Sequence, residues 1–470
     1  MKKLLLTFFV LGILAFGIYQ RPKTQSSQAK AGQSDSNRMI ASENHLSDID
    51  SEILSINDQK SLRIMILKII KQAQESDINS ERGKQLIAYS SIVSPLAHLE
   101  SILWRMRPII KKSGYLHYQA IKNISKIYRK KYLYGEHVSH IMDFFTHSSE
   151  ENVGVVSKNK LEQFESMREL QDFTYTTVAP SIKSAIRLIN KVLKDQPSWS
   201  FKINLDLFAG NNIFSNKKNL VIHSEYLYYL RARYHRALGF IEAFNIYNLD
   251  DSIKIVKKIV RKTSFENIFK KNGLPEVLSP YEKVEIIKKQ KNFLTSKYKL
   301  KEYRKRLAKV LAFYEWAMRD KQKAYNLALE LNDEHSFFPK EILKLNKEKR
   351  KTKHHEVLNF IDHIKNKTPY TFIDLKSGQE VVLQPSALLS LDMDLKKYLP
   401  NEFNTQGGRS SFKSDSKTRL NYNYGQPTNW PDPSFNGFFT ATSGQEVYDF
   451  IGAMKMDFAL SSLTNLFPVP

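Results

Sequence analysis

The sequence predicts a mainly α protein: a helical bundle or irregular helical-repeat-like array, with a small C-terminal mixed module of β-hairpin, ordered loop and terminal helix. Three observations predict it. Apolar residues recur at the helical period from about 45 to 368. Beyond 368 the period changes to alternation and then to a loop rich in Asn, Ser, Pro and Gly. Composition allows a packed core, at 41% hydrophobic and 26% charged over 470 residues, while 17 Gly and 16 Pro exclude collagen-like and low-complexity classes. With no Cys there is no disulfide frame, thiolate metal site or Cys nucleophile.

The N-terminus reads as an export element. Lys2 and Lys3 precede an apolar run over 4–19, long for a signal-peptide core and short for a full span. Ala15 and Gly17 offer small residues for cleavage before Ile18. Residues 1–20 are therefore read as a signal peptide or an uncleaved anchor to the inner membrane. Both place the body outside the cytoplasm, in the periplasm or secreted. Residues 21–44 are polar and read as a flexible linker.

The helical region, 45–368, shows three clear stripes. Ile182, Ala185, Ile186, Ile189, Val192 and Leu193 form the first, with Pro180 expected at the helix start. Leu227, Leu230, Tyr234, Ala237, Leu238, Ile241 and Phe244 form the second. Leu300, Tyr303, Leu307, Val310, Leu311, Tyr314 and Ala317 form the third. Residues 297–318 and 321–331, with Ala317, Ala324 and Ala328 as small contacts, have the size of a tetratricopeptide-like helix pair, without that repeat's consensus or a second copy. One excursion alternates at period 2: Phe201, Ile203, Leu205 and Leu207.

In the C-terminal module, 369–470, two runs at 370–375 and 380–383 flank Gly378 and read as a hairpin. A short helix is expected around 388–399, and a terminal helix opens at Ser443 with Val447, Phe450, Ile451, Met454 and Phe458 on one stripe. The aromatics from Phe403 to Phe439 are expected to anchor the module on the helical region. The pentapeptide Ser-Gly-Gln-Glu-Val occurs at 377–381 and 443–447, where different structures are expected, so the match is treated as coincidence.

Charge is uneven. The chain carries 72 Lys and Arg against 48 Asp and Glu, a net of +24, so anionic partners are expected. Residues 369–470 hold 8 basic and 10 acidic side chains, which puts the excess upstream. Between 104 and 131 there are nine basic residues and no acid: Arg105, Arg107, Lys111, Lys112, Lys122, Lys126, Arg129, Lys130 and Lys131. Trp104, Tyr115, Tyr118 and Tyr128 interleave with them, a pattern suited to anionic polymers. Residues 251–310 hold 18 basic against 6 acidic side chains. The competing reading of both segments is a solvated face. Glu136, His140, Asp143 and His147 lie on one helical stripe, a spacing that lets imidazole and carboxylate share a divalent ion or simply line a polar face. His354, His355, Asp362 and His363 form a weaker version. Asp392 and Asp394 have the form of a glycosidase-like acid pair.

Motifs for serine hydrolases, zinc peptidases, P-loop and dinucleotide folds are absent. The reading is an exported envelope binding or scaffold protein, not an enzyme, recognising an anionic polymer or lipid through basic helical faces. No cofactor is expected. Membrane contact comes through the N-terminal segment if uncleaved, a protein partner is compatible, and export disfavours chromosomal nucleic acid. The rival is an envelope hydrolase with its site in the aromatic loops around 430–439.

Overall fold

A computed structural model describes residues 55–113, 143–149, 153–195, 200–204, 219–262, 280–331, 347–373, 380–403 and 427–440, with isolated positions 49, 51, 52, 140, 378 and 446. The segments expected as signal or anchor, as linker and, but for Glu446, as terminal helix lie outside the described residues. What is described is mainly helical, with three short two-stranded sheets.

The first described helix, α1 (Gln59–Glu75), starts where Asp58 accepts the Ser61 N–H and Ser61 Oγ accepts back from the Asp58 N–H, a reciprocal cap. Helix α2 (Glu81–Ala97) starts at Ser80, whose hydroxyl accepts the Gly83 N–H. Only glycine fits at 83, because a Cβ there would lie 1.8 Å from the Asp77 carbonyl oxygen. Two short helices follow, α3 (Ile102–Arg105) and α4 (Arg107–Ser113).

Helix α5 (Met167–Phe173) runs through a π turn (Thr174–Val178) into α6 (Ala179–Asp195) without a break. Pro180 therefore does not begin a helix; it sits inside this continuous run. Proline removes a donor and its ring crowds the carbonyl one turn back. The widened π turn just before it, with Ala179 N–H donating to Thr174 O, lets the helix pass.

The period-2 excursion forms a strand over its described part: β1 (Ser200–Asn204) pairs antiparallel with β2 (Asn219–His223). The chain then enters α7 (Ser224–Ile246), the most enclosed helix, with 18 of its 23 residues buried. Helices α8 (Ser252–Lys262) and α9 (Pro280–Lys288) lead to α10 (Leu300–Glu330), a single helix of 31 residues. The expected helix pair over 297–331 is thus corrected to one helix. Arg319-Asp320-Lys321 contains no breaker, and Asp320 is held from α7, so the chain has no reason to turn there. Ala317, Ala324 and Ala328 are buried contacts along it.

Helices α7 and α10 pack antiparallel over their full length: Tyr228 lies near Lys323, His235 near Trp316 and Glu242 near Arg306. The 167–195 run lies on the same seam, antiparallel to α7, with Asn190 bonded to Arg231 and Gln171 donating to the Tyr247 carbonyl. Helices α1, α2, α6 and most of α7 share the larger apolar core.

The second core joins the end of α7, the first two-thirds of α10 and helix α11 (Lys347–Asn366) to residues 370–439. Strands β3 (Tyr370–Ile373) and β4 (Glu380–Leu383) form the expected hairpin, Gly378 having φ +70° in the connection. The helix expected around 388–399 is corrected to two separate 3₁₀ turns, Pro385–Leu389 and Leu395–Tyr398. Asp392 and Asp394 take backbone N–H groups two residues on, which competes with helix in this stretch. A last pair, β5 (Glu402–Phe403) with β6 (Pro427–Asn429), closes the described module.

Candidate functional site

The basic segment at 104–131 is described only as far as 113, so Lys122, Lys126, Arg129, Lys130 and Lys131 lie outside the described residues. Of the rest, Arg105 is a packing residue. Its guanidinium lies 4.2 Å from the Phe164 ring centre and 4.3 Å from that of Phe173, and its Nε donates to the Glu162 carbonyl. Burial lowers its pKa to about 10, with Glu162 opposing. Lys112 is held by Glu165 at 2.5 Å, Arg107 is half-buried and Lys111 is exposed.

Of the candidate metal stripe, Glu136 lies outside the described residues. Asp143 and His147 are one turn apart and in contact, 3.3 Å between Oδ1 and Nδ1, and His147 Nδ1 also meets Thr146 Oγ1 at 2.8 Å. Among the described residues no three acids and imidazoles gather as a metal would require. The second His set is dispersed: His354 is buried and stacked on Tyr325, His355 and Asp362 are exposed, and His363 meets Thr368 Oγ1.

Asp392 and Asp394 do turn chemistry. Asp392 accepts the Asp394 N–H and the Lys397 ammonium, and Asp394 accepts the Lys396 N–H. Burial pushes the Asp392 pKa up, but the Lys397 ammonium and the Asp394 N–H outweigh it and hold it below its ordinary value. In the aromatic loop, Trp430, Phe435, Phe438 and Phe439 are turned into the second core. Asp432 there accepts the Ser434 N–H, the Ser434 hydroxyl and the Asn436 N–H.

The arrangement with most chemical content is a cationic face that takes Lys301, Arg304, Lys305 and Lys309 from the basic 251–310 segment and adds the α6 stripe, which the sequence analysis did not single out. Helix α6 exposes Lys183, Arg187, Lys191 and Lys194, spaced as one stripe. Helix α10 exposes Lys301, Arg304, Lys305, Arg319 and Lys323, with Lys309 half-buried, along about 33 Å at 1.5 Å per residue. Arg231 on α7 ties the two stripes to one side of the molecule. Its Nη1 donates to Asn190 Oδ1 on the α6 stripe, and its Nε donates to Asp320 Oδ2, beside Arg319, at 2.7 Å.

The acids of the α7–α10 seam are already engaged, while Glu330 in the last turn of α10 is exposed on the same stripe. Asp320 takes a two-pronged bond from Arg231. Glu242 is buried and takes Arg306 at 2.6 Å and Lys309 at 2.7 Å. Glu315 pairs with Arg319 and, across to α11, with Lys365. Lys183, Arg187, Lys191, Lys194, Lys301, Arg304, Lys305 and Lys323 keep their charges unanswered by any described carboxylate.

On the α10 stripe, at its edge toward α7, stands Trp316, 47% exposed. It meets Phe313 edge-on, ring centres 5.5 Å apart, and His235 at 5.3 Å. Burial lowers the His235 pKa to about 4, Asp320 opposing and Arg231 assisting, so the ring is neutral at pH 7. The missed signal was simple: continuing the α10 stripe past Met318, where an expected turn had interrupted it, puts Arg319 and Lys323 in line with Lys301, Lys305 and Trp316.

Among the described residues one helical run, 82–112, is long and apolar enough to cross a membrane by length and composition, and 61% of its apolar window is buried within the protein, as in a core helix. No protein-family profile matches the chain, and neither the curated proteins nor the solved structures compared with it give a match.

Proposed function

We propose that the chain is an exported envelope binding or scaffold protein that holds an anionic polymer or lipid on the basic helical face formed by α6 and α10. The observation that carries this is the pair of exposed cationic stripes in which, of the cations named, only Arg319 and Lys309 are answered by a described carboxylate. Unpaired cations at this density repel one another and are best explained by an anion that neutralises them. Lys301, Arg304 and Lys305 add to the argument. They stand in the first turns of α10, where the helix dipole disfavours positive charge, so folding stability alone does not account for them. Export rests on Lys2 and Lys3 ahead of the 4–19 apolar run.

The test is binding of the full chain to polyphosphate as a function of salt. Counterion release predicts a log-log slope of roughly −0.7 to −0.9 per contact. Arg187→Glu with Lys305→Glu should weaken binding and flatten the slope. Lys126→Glu with Arg129→Glu, made in parallel, reports on the sequence-predicted segment instead. Binding that ignores salt, or ignores Arg187→Glu with Lys305→Glu, would overturn the reading.

A further inference from the structure

Resting on that anion-binding reading, we infer that the α6–α10 face seats on an anionic lipid bilayer, with the Trp316 indole entering the headgroup boundary. The shape of the face is the first argument. A groove that encloses a linear polymer needs an open floor between its walls. Here the space between the stripes is filled: Arg231 bridges Asn190 and Asp320 with its side chain only 19% exposed, and the Asp320 and His235 side chains are 10% and 11% exposed. The parallel runs of α6 and α10 therefore present their cations on a shallow surface and not as the walls of a channel.

Trp316 is the second argument. A half-exposed indole on a soluble face loses hydrophobic free energy, and at a bilayer its amphipathic ring finds the region where Trp is enriched. The ring is braced: Phe313 meets it edge-on and is itself buried, and neutral His235 packs beside it. Such a base positions the ring to enter a surface without reordering the helix.

The cations complete the match. Lys305, Arg319 and Lys323 lie along the Trp316 stripe of α10, and Lys309 borders it. Each Lys or Arg near an anionic leaflet contributes about 1 kcal/mol, and long stems let the charge reach headgroups while methylenes cover apolar surface. The apolar 4–19 run, read as an anchor, would hold the body within reach of such a surface.

The experiment uses the full chain with vesicles of brominated phosphatidylcholine, with or without phosphatidylglycerol. Contact by Trp316 is read as the fluorescence quenching that the wild type shows and Trp316→Phe lacks, which subtracts Trp104, Trp199 and Trp430 and any anchoring by the N-terminus. Quenching of Trp316 is expected only with phosphatidylglycerol present. Lys305→Glu with Lys323→Glu should shift the docking equilibrium about 30-fold toward the free face, two lysines at ~1 kcal/mol each. Its thermal midpoint should stay at the wild-type value, showing that the fold is intact. Binding to polyphosphate without Trp316 quenching on anionic vesicles would overturn the bilayer proposal and leave the broader reading standing. Quenching equal on neutral and anionic vesicles, or unchanged by charge reversal, would also overturn it. Failure on both probes removes both readings.

Discussion

Between α7 and α10, beside the neutral His235, charged side chains answer one another: Arg231 with Asp320, Arg306 and Lys309 with Glu242. In the described parts of 370–439 three acids are instead spent on backbone. Asp392, Asp394 and Asp432 each accept main-chain N–H groups in turns. The difference follows from secondary structure. A long helix satisfies its own backbone, so its side chains are free to pair across an interface. Irregular chain leaves N–H groups that something must accept, and short polar side chains do so. Aromatic packing then supplies cohesion: Phe435 stacks on Tyr398 and meets Trp430 and Phe439.

The largest effects should come from removing the central group of each region. Phe435→Ala, at a 6% exposed site, is expected to cost about 3–5 kcal/mol in denaturant unfolding. If the second core is continuous with α10 and α11, circular dichroism at helical and aromatic wavelengths will report one shifted transition. Two separated transitions would show that the C-terminal module unfolds by itself.

Asp320→Ala should cost a similar ~3–5 kcal/mol, because it leaves the Arg231 guanidinium largely buried without its partner. The sharper measurement is the double change Arg231→Met with Asp320→Leu. Replacing both charges by apolar groups of similar size should restore stability to near the wild-type value or above it. A double variant as weak as the single one would mean that this pair contributes more than it costs to bury.

Acid tests the same seam. His235 is held near pKa 4 by burial, with Asp320 opposing and Arg231 assisting, against 6.5 for an unperturbed imidazole. The unfolded chain therefore binds a proton between these values that the folded chain refuses. Stability from this group is full above pH 6.5 and falls as pH drops toward 4, by up to about 3 kcal/mol at 1.36 kcal/mol per unit. Subtracting the His235→Gln profile from the wild-type profile isolates the term from the carboxylates. A flat difference over that window would show that the ring is solvated.

The smallest expected change is in the C-terminal turn. Asp432→Ala removes the acceptor of three bonds from Ser434 and Asn436, at about 1–2 kcal/mol, since solvent reaches part of the turn. Asp432→Asn should recover part of it.

Much of the architecture was legible because it depends on local period. The stripes at 182–193 and 227–244 are buried as their spacing requires, the third is buried from Tyr303 on while Leu300 in the open first turn of α10 is 46% exposed, and the Gly378 hairpin pairs over 370–373 and 380–383. Pro180 misled because proline at a helix start and proline tolerated behind a π turn look alike in one dimension. The break expected near 319–321 had a related origin: size and small residues resemble a repeat pair, while the stretch holds no breaker and Asp320 is paired with Arg231 on another helix. In the candidate site, Arg105 counted as an available cation in the sequence, whereas Phe164 and Phe173, more than fifty residues away, enclose it.

What the sequence determined by itself is the excess of positive charge, the helical class and the change of character near 368, since each is a property of composition or of neighbours within a few residues. Only the tertiary structure decided which cations are spent and which remain. Whether a lysine stands free depends on whether a carboxylate from a distant segment reaches it. Glu242 takes Arg306 and Lys309, and Glu165 takes Lys112, while the α6 stripe and most of the α10 stripe find no such acid among the described residues. Charge pairing acts over a few ångströms in space, and sequence separation says nothing about that distance.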